Sequence, residues 1–151
     1  MYYKKINDLM YKQVIKNLKG YEKVTWGDDP DDDRFLWFIP TPAYAAYKIL
    51  KSETYVLLRD EPLSEELMKR LVCPTGDSKP LTMTGNERKV DKKTLVEFEF
   101  EDGEKMYINK DLLKPFDDCV AVQYEAKNNI SPMFVRCGDE EPIGLVLPVR
   151  V

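Results

Sequence analysis

The chain predicts an α+β fold, an antiparallel β-sheet with two helices on one face, in a single domain spanning residues 1–151. Three observations carry this. Ile6, Met10, Val14 and Leu18 recur every four residues and make the apolar stripe of an amphipathic helix. Leu95-Val96-Glu97-Phe98-Glu99-Phe100 alternates as a half-buried strand does and runs into Asp102-Gly103, a strong hairpin signal. The chain then closes on two apolar runs, Ile130–Arg136 and Ile143–Val151, around the turn Cys137–Pro142. An apolar strand at a terminus must pair inside a sheet, because a free one would template aggregation. The helical stripe and the leucine pair Leu112 and Leu113 need a shared core, which places both helices on one face.

The elements follow in order. Residues 3–19 form the first helix, with Gly20 as a stop just past its end. Tyr21–Trp26 and Arg34–Ile39 read as strands joined through the acidic loop Gly27–Asp33. Tyr44–Leu50 and Thr54–Arg59 read as further strands, although Ala43–Tyr47 could equally seed a helical turn. Ser64 caps a helix over Glu65–Val72, whose first turn holds Glu65 and Glu66 where the dipole favours them. Residues 74–80 are a Pro/Gly/Ser-rich loop. Strands follow at Leu81–Thr84, Thr94–Phe100 and Lys105–Ile108; Asn109 caps a short helix, Lys110–Phe116, kept brief by Pro115. Cys119–Glu125 is a strand, Lys127-Asn128-Asn129 a turn, and the closing hairpin completes the chain.

Composition narrows the function classes. Hydrophobic residues make up 43% and charged residues 33% of the chain, enough for a core and unlike a disordered segment. The formal net charge of −4 argues against a surface generally coated in nucleic acid. The charge is uneven, however. Residues 1–25 hold six Lys against Asp8 and Glu22, a balance of +4, so the remainder carries −8. Histidine is absent, which removes His-based general-base chemistry, Ser-His and Cys-His pairs and His-containing zinc sites. Cys73, Cys119 and Cys137 are widely spaced, form no Cys-x-x-Cys pair, and read as reduced thiols in a cytoplasmic protein with no metal site. No apolar run approaches a membrane span, and Met1 is followed at once by Tyr2-Tyr3-Lys4-Lys5 without a signal core, so no membrane partner is expected.

The closing residues, with Ser131 and Pro132 opening one strand and Pro148, Val149 and Arg150 ending the other, resemble the end of a bacterial DNA polymerase sliding clamp. Ile108–Leu113 is similar to the clamp segment in which an apolar-Asn step opens a helix carrying paired leucines. The resemblance is in motif over the last third of the chain and in element order over the rest. It implies a DNA-clamp-like domain whose helices face DNA, and a pocket for partner peptides lined by Leu147, Pro148, Val149 and Arg150. The chain departs from that pattern in three ways. It has room for one domain where bacterial clamps carry three, Pro115 cuts the second helix short ahead of Asp117 and Asp118, and Glu65–Val72 is an additional helix.

The residues themselves add a candidate DNA surface. Lys5, Lys12, Lys16 and Lys19 point within about 60° of one another at about 100° per residue. A lysine row at helical spacing can follow phosphates without reading bases; the plainer reading is the solvated face of an amphipathic helix. The acidic loop Asp28–Asp33 lacks the Gly and the terminal Glu of a calcium loop and reads as a solvated turn. The carboxylate pairs Glu65/Glu66, Asp117/Asp118 and Glu140/Glu141 sit at turns or helix ends, without a neighbouring nucleophile or a Gly-rich phosphate loop. Trp26, Trp37 and the tyrosines read as core and cross-strand pairs before base-stacking platforms.

The expectation is therefore a non-catalytic binding module without cofactor, acting on DNA or on a replication protein. A homo-oligomer is required if so small a unit is to close a ring. Two alternatives stand beside it: a protein–protein adaptor or inhibitor with the clamp fold and no DNA contact, and a metal-dependent enzyme using the acidic residues.

Overall fold

The structure is a computed structural model that describes residues 3–18, 24–56, 58, 60–73, 76–138 and 141–150; the side chains of Asn17 and Leu18 are not described. Contacts divide the chain into two compact units, Met1–Cys73 and Pro74–Val151. Both are antiparallel in every pairing described, which makes the chain α+β as its sequence predicts.

In the first unit, helix α1 (Tyr3–Leu18) packs on a three-stranded meander of β1 (Thr25–Asp28), β2 (Phe35–Ile39) and β3 (Ala45–Leu50). Ile6 and Met10 of the apolar stripe are buried and Val14 is half-buried, while the side chain of Leu18 lies outside the described residues; Tyr3, Asn7 and Gln13 are buried beside them. Both polar residues are matched. Asn7 donates to the carbonyls of Tyr3 and Glu53 and accepts from the Tyr55 N–H, while Gln13 exchanges hydrogen bonds with Thr41. Strand β2 is buried at four successive positions from Leu36 to Ile39, so it lacks the alternation of a one-sided strand.

Helix α2 (Glu65–Val72) starts where Ser64 predicts, with Ser64 Oγ accepting from the Leu67 N–H at 3.2 Å. It presses Met68, fully buried, onto Gly27 of β1. The expected strand at Thr54–Arg59 is absent over its described residues. Polar groups outside any sheet ladder serve this stretch instead. Tyr55 N–H goes to Asn7, Trp26 Nε1 donates to the Asp60 carbonyl, and Leu63 N–H donates to that of Trp26.

The second unit is a six-stranded sheet in the order β9-β8-β7-β4-β5-β6. Its strands are β4 (Lys79–Val90), β5 (Lys93–Phe100), β6 (Lys105–Asn109), β7 (Val122–Ala126), β8 (Met133–Cys137) and β9 (Gly144–Val146). Leu95, Phe98, Met106, Ile108, Met133 and Val135 are its most deeply buried large side chains, and the ring of Phe98 meets Tyr124 edge-on at 4.8 Å. The Asn109-capped helix is a 3₁₀ segment, Lys110–Phe116, packed on β5 and β6; Asn109 Oδ1 accepts from the Asp111 N–H at 3.1 Å.

Three expectations need correction here. Strand β4 runs to Val90, well beyond Thr84, with a bulge between Met83 and Glu87 where Gly85 takes a φ of 89°. The closing strand stops at Val146, because Pro148 has no N–H to continue a ladder. Leu145 and Val146 are both buried, so this strand is covered on both faces. Cys119 and Cys137, read as reduced thiols, are joined in a disulfide across 18 residues, and Cys73 takes no part in a disulfide. The hairpin β7–β8 brings them together: Val122 pairs with Cys137, and Gly138 N–H reaches the Ala121 carbonyl at 2.9 Å. No short spacing motif marks such a pair. The bond removes the thiol-based reason for a cytoplasmic location. Among the described residues no helix is long and apolar enough to cross a membrane.

Candidate binding surfaces

The α1 lysines lie away from the buried face. Taking about 100° per residue, Lys5, Lys12 and Lys16 point within about 40° of one another and about 140° from the mean direction of the buried side chains. Lys12 and Lys16 are exposed and Lys5 is half-buried; Lys19 lies outside the described residues. The helix is held rigidly behind this face by its apolar stripe and by the Asn7 and Gln13 hydrogen bonds. Such a face can meet an anionic polymer without disturbing the fold.

The candidate peptide residues are placed differently from the expectation. Leu147, Pro148 and Val149 are half-buried and Arg150 is exposed. The segment leaves β9 and returns to β6, where Val149 N–H donates to the Tyr107 carbonyl at 2.8 Å. That contact covers part of the β6 edge. None of these four residues lines the clefts described next.

Two clefts in the second unit escape sequence reading. Strands β4 and β7 pair only at Lys79↔Ala126, Pro80↔Glu125 and Leu81↔Tyr124, and then part. On one side of the parting is a cleft of about 480 Å³ walled by Met83, Val96, Leu113, Phe116, Val122 and Tyr124. The Glu87–Lys110 ion pair, at 2.6 Å, stands at its rim and raises the Lys110 ammonium above its ordinary pKa. Burial, with the Asp117 carboxylate nearby, raises the Tyr124 phenol above its ordinary value. The other cleft, also about 480 Å³, is more polar and includes Thr82, Gln123 and the Arg136–Glu125 pair. An apolar pocket with a polar rim beside unpaired strand residues can take an extended chain. Met83, at the wall of this cleft, is a large apolar side chain left exposed.

The acidic loop is a structural hub, where the sequence suggests a solvated turn. Asp29 Oδ1 accepts the N–H groups of Asp31 and Asp32 at 2.9 Å each. Its Oδ2 accepts Trp37 Nε1 at 2.7 Å and faces Lys48 Nζ at 3.6 Å, with both side chains under a tenth exposed. Arg34 grips Asp32 through two hydrogen bonds and pulls that carboxyl down to about 2. Among the described residues no three His, Cys, Asp or Glu side chains converge to hold a metal ion, so the metal-enzyme reading finds no site there. Trp37 is 1% exposed and belongs to the core.

No protein-family model, curated protein or solved structure matches this chain.

Proposed function

We propose that this chain is a non-catalytic binding module, resembling one domain of a sliding clamp, that contacts the DNA backbone through the lysine face of α1, alone or with a replication protein. The observation that carries the reading is the exposed Lys12/Lys16 face with Lys5 beside it, turned away from the buried side of a well-anchored helix in an otherwise acidic chain. Phosphate contacts of this type give weak, sequence-independent and salt-sensitive binding. Changing Lys5, Lys12, Lys16 and Lys19 to Glu abolishes binding of a labelled duplex in fluorescence anisotropy at low salt while leaving the circular dichroism spectrum intact. Equal binding by the variant and the wild type rejects the assignment to α1.

A second reading rests on the apolar cleft between β4 and β7. There the chain acts as a protein–protein adaptor that receives an extended segment beside Met83 and Tyr124. Under that reading Met83→Glu eliminates partner capture and leaves any DNA binding unchanged.

A further inference from the structure

The longest hairpin of the second unit ends in a basic tip that nothing above uses. Residues 88–93 read Arg88-Lys89-Val90-Asp91-Lys92-Lys93, four cations against the single anion Asp91 in a chain of net charge −4. The tip outruns both flanking strands. Pairing of β4 with β7 ends at Leu81, and pairing of β5 with β6 reaches only Leu95. From Lys89 to Thr94 the chain is therefore a two-stranded ribbon with no strand on either side, closed by Asp91 at a φ of 55°.

Three of the four charges are not absorbed locally: Arg88, Lys89 and Lys92 are exposed and form no ion pair among the described residues. The Arg88 guanidinium lies 5.0 Å from the centre of the Tyr107 ring, which supports its stem and leaves its donors available. Glu87, the nearest strand carboxylate, is occupied by Lys110. Successive strand residues point to opposite faces, so Arg88, at the base of the ribbon, and Lys89 present charge on opposite faces while Lys92 presents it at the turn. A solvated edge needs one or two lysines to resist pairing; it does not need cations on both faces and at the tip.

We infer that this ribbon is a second DNA-contacting element, seated in the major groove of a duplex with its two faces toward opposite phosphate walls. The major groove is about 12 Å wide and admits a two-stranded β-ribbon. The inference stands apart from the α1 assignment, since it rests on other residues in the other unit.

The test is anisotropy of a labelled 25-base-pair duplex with the full chain at low salt, using the wild type, the ribbon variant Arg88→Ser/Lys89→Ser/Lys92→Ser and the α1 Glu variant. The ribbon variant is expected to bind at least about tenfold more weakly, and to lose about 2.7 from the magnitude of the log–log salt slope, at about 0.9 per phosphate contact. If it melts early, Lys89→Ser/Lys92→Ser serves instead, with about two-thirds of that change in slope. Loss by the ribbon variant alone upholds the ribbon and rejects α1. Loss by the α1 variant alone does the reverse. Unchanged affinity in the ribbon variant, tighter wild-type binding to a single strand of the same length than to the duplex, or no duplex binding at all overturns the inference.

Discussion

Replacing Asp29 with Ala removes the centre of the β1–β2 connection. Four groups depend on this carboxylate: the N–H groups of Asp31 and Asp32, the Trp37 indole and the Lys48 ammonium. Lys48 is only 8% exposed and its nitrogen lies 4.6 Å from the centre of the Phe35 ring, so it has no easy path to water. Breaking a buried pair by deleting one partner costs about 3–5 kcal/mol, because the remaining charge stays desolvated. The ring face offsets part of this, by about 1 kcal/mol. The expected loss is thus about 3 kcal/mol, a large fraction of the roughly 5–15 kcal/mol that stabilises a domain. Urea unfolding followed by tryptophan fluorescence measures it, and Trp37 reports from the site itself. Lys48→Met in the Asp29→Ala background restores part of the stability, since the buried charge that faced Asp29 is gone. A loss under about 1 kcal/mol, or strictly additive effects in the double variant, would refute the role of the pair.

Three further outcomes follow from the packing. Gly27→Ala places a methyl group against the buried Met68 side chain, whose Cγ would lie 2.7 Å away, and costs about 1–3 kcal/mol in the urea midpoint; adding Met68→Ala makes the pair less destabilised than the sum of the singles. Hydrogen bonds from Asn86 and Thr84, with Tyr107 and Lys105 nearby, hold the Glu97 carboxyl below its usual value of 4.5. Its folded pKa is depressed, so its contribution is present above that value and is lost as pH falls through the folded pKa; Glu97→Gln flattens acid unfolding below about pH 4.5, and an unchanged acid limb contradicts it. Cys119→Ser/Cys137→Ser lowers stability by about 3 kcal/mol for a loop of this length, and the unreduced wild type alkylates only at Cys73; three reactive thiols without reductant would contradict the bond.

Local signals in this sequence are legible, and distant pairings are not. The α1 helix, the Ser64 and Asn109 caps and the Asp102-Gly103 hairpin each depend on residues a few positions apart, and each stands where expected. The Asp29–Lys48 pair joins residues far apart in the chain, so the loop looked like a solvated turn. The Cys119–Cys137 bond depends on the β7–β8 register. Residues 85–90 hid their strand behind Gly85 and a run of charges, because edge position and a bulge replace hydrophobic alternation there. The cleft beside Met83 arises where two strands separate, a property of pairing that composition does not carry. Of the candidate sites, Lys12 and Lys16 are exposed with Lys5 half-buried beside them, while Leu147–Arg150 turn back onto β6.

Affinity of the wild-type chain for a labelled duplex, titrated across salt concentrations, tests the DNA-backbone assignment most directly. Four phosphate contacts along α1 predict a linear log–log dependence with a slope of about −3.6, steeper if the ribbon also engages. No anisotropy change at low salt, or an affinity that does not fall as salt rises, would contradict it.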